Sequence, residues 1–251
     1  MNGYLCRLAA VAMTGPGTVA VALFADDTDP SRWAALQGYF WDLLDGAGLT
    51  VLISVLSMLI AVLLGMVIAL LRLYGPAPLR WLALIYVEFF RGVPVMFLLF
   101  FLYYGLPAIA QYYGLNVSLG LSSFWAAALG LGLNYAAYEA EIYRAGIGAI
   151  PAGQWEAAAS LGMSNVQAFR HVILPQSIRT ILPPMTNDFI ALFKDTSVVS
   201  VIALQELTKR YQEMARSGAE VALLTAALYL IMSLPLGYLS RYLERRWGVK
   251  G

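Results

Sequence analysis

Residues 49–71 form an unbroken apolar run whose only polar side chains are Thr50, Ser54 and Ser57. A charge-free run of this length suits a helix across a bilayer, where lipid offers backbone N–H and C=O groups no other partners. Composition extends the reading to the whole chain. Of its 251 residues 60% are hydrophobic and 12% charged, against about 25% charged in an ordinary soluble domain. So little charge leaves too little polar surface for a water-exposed globule, and it excludes a disordered chain as well. The net charge of +1 supplies no basic field for nucleic acid. A lone Cys6 and a lone His171 exclude a disulfide framework and a Cys/His metal cluster. The chain reads as an all-α integral membrane protein.

Further spans are expected at about 93–109, 122–143, 183–204 and 221–239, the fourth opened by Pro183 and Pro184. The stretch 79–91 carries Glu88 and Arg91 and is expected at the membrane interface. Lys/Arg bias sets the orientation. Arg72 and Arg80, then Arg144, Arg170 and Arg179, then Arg241, Arg245 and Arg246 fall on one side if five spans alternate. That side is the expected cytoplasm. Lys209, Arg210 and Arg216 fall on the other side, in a loop shared with Glu206, Glu213 and Glu220. Residues 1–25 are expected to be an extra transmembrane helix or a signal peptide, and 26–47 an extracytoplasmic linker. Residues 48–245 form the transmembrane unit, and 246–251 a cytoplasmic tail.

The loop 146–179 is longer than a connection needs. Gln154 to Ser160 favours helix, Gly162 suits a left-handed cap, Ser164 or Asn165 can start a second helix, and Pro175 is expected to close it. One reading is an amphipathic hairpin that lies on the membrane surface. The other comes from spacing. Glu156-Ala157-Ala158, three residues, Gly162, nine residues, then Val172, Leu174 and Pro175 resembles the signature loop of ABC importer permeases.

The resemblance continues in the Glu-x-x-Arg-Gly-x-Pro stretch of Glu88, Arg91, Gly92 and Pro94, in 134–146 and in 194–202. These resemble the polar amino-acid uptake permeases over about 48–245. The resemblance implies a five-helix type I importer permease core in a bacterial inner membrane, crossing it several times. It also implies a coupling helix that docks on an ABC ATPase subunit through Glu156, Ala157, Ala158, Gly162, Leu174 and Pro175. An extracytoplasmic amino-acid-binding protein and a second permease subunit, identical or sister, are the other implied partners. No Gly-Lys-Ser/Thr phosphate loop occurs in the chain, so it carries no Walker site of its own, and no cofactor or metal is expected.

Charged groups in spans are costly and usually face a cavity or a partner. Asn134, Tyr138 and Glu141 share one helical face at i, i+4 and i+7 and are the candidate substrate wall, with Glu139 about 140° away. Glu141 is alternatively the partner of Arg144 at i, i+3, and Glu139 could pair with Arg144 or a neighbouring helix. In the fourth span Asp188, Leu192 and Asp195 share a face, and Asp188 could serve as wall or gate. The excess of acidic groups tilts the substrate towards cationic or neutral polar amino acids, although Lys194 could hold a carboxylate. The main expectation is the permease of an ATP-driven amino-acid importer, itself no enzyme. The alternative is an ion-gradient-driven secondary transporter, which would leave the long loop unexplained.

Overall fold

The computed structural model describes residues 30–114, 120–214 and 218–247, with side chains from 36 to 246. The expectation for residues 1–25 lies outside the described residues. The described residues are almost wholly helical. Helix α1 (Pro30–Tyr74) is 45 residues long. Helix α2 (Ala77–Gly92) follows a short break at Gly75–Pro76. Beyond Pro94, α3 (Val95–Phe100) runs through a π-helical turn, Phe101–Gly105, into α4 (Leu106–Tyr112). Helix α5 (Ser123–Gly148) returns. Short helices α6 (Ala152–Ser160) and α7 (Asn165–Ala168) make a hairpin. Then come α8 (Leu174–Asp195), a 3-10 segment (Thr196–Ile202), α9 (Leu207–Met214) and α10 (Ala219–Trp247).

By length and composition 36–74, 95–112 and 219–246 can each cross a membrane. Helix α5 can carry polar residues because most of it is buried in the bundle, where side chains meet protein instead of lipid. The α1–α5 contact relies on small residues. A Cβ on Gly65 would meet Glu139 Cβ at 2.7 Å, and one on Gly132 would meet Ile60 Cγ2 at 2.8 Å. Ser57 donates to the Ala128 carbonyl at 3.3 Å. Such close backbone approach is how apolar helices gain packing energy where lipid competes for every apolar contact. One cluster centres on Ile53, Leu99, Leu131, Leu192 and Ile202, a second on Ile68, Val87, Ala140 and Ile181.

Four expectations change here. The expected linker 26–47 is helical from Pro30 onward, and Leu43 and Ala47 pack against Leu207, Val221 and Leu228. Apolar residues at Tyr39, Phe40, Leu43 and Ala47 repeat at helical spacing, which carries α1 beyond the first apolar run. Stretch 79–91 is a bundle helix, not an interfacial one: Tyr86 Oη donates to Leu133 O and Asn134 Nδ2 to Phe90 O, both at 2.7 Å. Residues 133 and 134 lie near the midpoint of α5, so α2 climbs to mid-bundle before breaking at Val93–Pro94.

Pro183 and Pro184 open no span; both lie inside α8. Pro183 is buried and Pro184 exposed, and a helix in a membrane bundle tolerates the backbone hydrogen bonds that the two prolines remove. Pro175 likewise opens a helix where it was expected to close one, because it sits in the first turn of α8, where its missing N–H costs nothing.

Candidate functional site: a polar wall and a docking hairpin

Helix α5 carries its polar residues in three directions. Asn134 is 5% exposed and committed to the α2 terminus through Phe90 O. Tyr138 is exposed, and the Arg91 guanidinium lies 5.5 Å from its ring centre. Glu141 sits further along, joined to Arg72 of α1 at 2.5 Å and to Arg144 Nε at 2.9 Å. The three residues read as one wall therefore divide among a helix end, an open face and an ion cluster. Glu141 does pair with Arg144, as its i, i+3 spacing allowed, and Arg72 completes the cluster.

Glu139 is fully buried at the α1 contact, its Cβ against Gly65. Tyr143, within electrostatic reach, turns its hydroxyl to Met185 Sδ at 3.6 Å. Asp188 is half-buried on α8 and lies in electrostatic range of both Glu139 and Arg91. One turn pair above it, Asp195 accepts the Tyr135 hydroxyl at 2.8 Å. Lys194 points elsewhere, into a cleft of about 370 Å³ between α8 and α10 that Asn187, Arg241 and Glu244 also line.

The contact of Arg91 with Tyr138 is not among the expectations from sequence. The available signal was a charge close to a Pro break in an otherwise apolar stretch, which at mid-bundle depth needs a reason. The Tyr135–Asp195 bond carried no such signal, since the two are far apart in sequence.

The turn and the second cap of the hairpin follow the expected chemistry, while its second helix does not end at Pro175. Gly162 adopts φ +78, the left-handed conformation that glycine enters without a steric cost. Ser164 caps α7 in a reciprocal capping box with Gln167. Of the residues singled out, Glu156, Ala157 and Pro175 are exposed, Ala158 is buried and Leu174 half-buried. At the turn Leu161 and Val166 are 77% and 76% exposed. Helix α7 continues through the π-helical turn Phe169–Ile173 directly into α8. No loop separates the hairpin from the helix that carries Asp188.

Residues 61–249 match the family described as binding-protein-dependent transport system inner membrane component. The chain belongs to that family. The permease is 36% identical over 219 residues to the L-cystine transport system permease protein TcyB of Bacillus subtilis, covering 85% of this chain and 90% of that one. It is 35% identical to the arginine transport system permease protein ArtQ of the same organism, over 81% and 91%. A crystal structure of an amino acid ABC transporter with histidines superposes at TM-score 0.74, with 35% identity, over 85% of this chain and 97% of that one. The MetNI methionine ABC transporter, at 20% identity and TM-score 0.66, shares the fold. The permease is thus the membrane-embedded transport subunit of an ABC importer, and ATP hydrolysis belongs to a partner ATPase.

Proposed function

We propose that this permease carries polar amino acids, cationic ones included, across a bacterial inner membrane, with the Arg72–Glu141–Arg144 end in the cytoplasm. The observation that carries the reading is the open polar wall at mid-bundle, where exposed Tyr138 and half-buried Asp188 share one region. Asp188 suits the ammonium that every amino acid carries, and Tyr138 offers an aromatic face to a cation. Glu139 stands behind this wall as a second carboxylate, while Asn134 and Glu141 hold the helices that form it. The names of the relatives, which transport cystine, arginine or glutamine, agree with a polar amino-acid cargo.

The hairpin is the docking element for the ATPase. Its apolar tip, Leu161 and Val166, needs a partner surface, and Glu156 with Ala157 supplies an exposed, closely approachable helix face. Force applied there passes through Leu174 and Pro175 along α8 to Asp188. An extracytoplasmic binding protein delivers cargo, and a second permease chain completes the pathway.

Uptake by the whole importer in proteoliposomes tests this. With ATP inside and binding protein outside, labelled arginine, histidine or glutamine should accumulate, and Asp188→Asn should reduce the cationic cargo most. Accumulation of none of a full amino-acid panel would contradict the reading.

A further inference from the structure

We infer that Arg91 is the anchor for the substrate's carboxylate, so that the wall recognises the complete zwitterion of an amino acid and discriminates against the corresponding amine. This rests on the amino-acid reading above and adds a residue and a selectivity to it. Arg91 is the next residue after Phe90, whose carbonyl takes the Asn134 amide, and it therefore stands at mid-bundle depth. Arg91 is exposed, and a charge within the transmembrane unit usually faces a cavity or a partner. Its contacts do not neutralise it. It lies over the exposed Tyr138 ring, a contact weak enough to exchange.

Among the described residues Arg91 forms no ion pair. Glu88 is three residues earlier on the same helix and exposed, and it makes none either. Asp188 feels the charge of Arg91 across a gap too wide for a direct pair. Opposite charges within electrostatic range of each other but not in contact fit a short zwitterion: carboxylate to Arg91, ammonium to Asp188. A planar guanidinium matches a carboxylate in two parallel hydrogen bonds, which an ammonium cannot do. Lys194, a second cation in the transmembrane unit, lines the α8–α10 cleft, which Tyr138 does not line.

The test uses the permease–ATPase complex in nanodiscs without binding protein, so that only the membrane site is read. Binding of L-arginine and agmatine, and of L-histidine and histamine, is measured by titration. The wild-type complex should favour each amino acid over its decarboxylated amine by at least about tenfold. Arg91→Met should bring each pair within about twofold, Arg91→Lys should retain part of the preference, and Lys194→Met should leave it unchanged. Thermal midpoints of all variants report folding separately. Undiminished preference in a folded Arg91→Met complex would overturn the assignment of Arg91 alone. Failure of the wild-type complex to bind any amino acid, with no uptake in proteoliposomes, would overturn the amino-acid reading and this inference together.

Discussion

The side-chain amide of Asn134 donates to the main-chain carbonyl of Phe90 at 2.7 Å, fastening the C-terminal end of α2 to the middle of α5. The last carbonyls of a helix lack intrahelical partners. In a bundle core water cannot substitute, so the side chain of Asn134 does what the next turn of α2 would have done. Asn134→Leu leaves the Phe90 carbonyl unsatisfied and should cost about 1–3 kcal/mol. Asn134→Asp keeps the shape and loses the donor, and should cost as much. Thermal midpoints in detergent check this. A Leu variant as stable as wild type would remove Asn134 from its structural role.

At Gly162 a φ of +78 coincides with open space around the missing Cβ. Substitution is therefore strained by backbone conformation and not by crowding. Asn enters this region most easily, Ala less so, and β-branched residues worst. ATPase association should fall in the order Gly, Asn, Ala, Val, with about 1 kcal/mol lost at Ala, while the membrane fold stays intact. Pull-down of the ATPase at equal permease loading reads the order; Val binding as well as Gly would refute it.

Glu141 holds two guanidiniums, Arg72 and Arg144, at the end of the α1–α5 pair. Glu141→Gln leaves two neighbouring cations without their shared counter-charge. It should destabilise by about 1–2 kcal/mol, the cluster being only partly buried. Arg144→Gln should cost less, since Arg72 keeps its pair. The ranking is checked by thermal midpoints, and the Glu141 effect should shrink in high salt.

On the opposite side of the bundle Glu206 caps α9. Its two carboxylate oxygens accept the N–H groups of Lys209 at 2.7 Å and Thr208 at 2.9 Å, and Tyr229 of α10 donates to it at 3.2 Å. Burial pushes this carboxyl above the usual range, and those donors only partly oppose the shift. A raised carboxyl contributes stability that is full below its unfolded value, about 4.3, and is lost as pH rises through the folded value. The thermal midpoint of wild type relative to Glu206→Gln should therefore decline as pH rises above about 4.3. A difference that grows with pH would reverse the assignment.

What the sequence made legible depended on how strong the local constraint was. The run containing Thr50, Ser54 and Ser57 could be read because lipid forbids unpaired backbone, and Thr50 and Ser54 indeed bond back to carbonyls four residues earlier. Gly162 and Ser164 could be read because turn and cap chemistry is local. Pro183 and Pro184 mislead because the rule against helical proline is drawn from soluble helices, whereas helices of a membrane bundle tolerate proline in their interior, as α8 does. Arg91 misleads for a different reason: a charge suggests the membrane edge, whereas its guanidinium lies over the Tyr138 ring of α5. The commitment of Asn134 to Phe90 had no sequence signature, since its partner is a backbone carbonyl on another helix.

Mild-detergent purification of the tagged permease from its native host, followed by mass spectrometry and a transport assay on the same preparation, tests the central claim most directly. We predict an ABC ATPase at two copies per two permease chains and uptake that requires ATP. A permease that purifies without an ATPase and moves amino acids on an ion gradient alone would contradict the account.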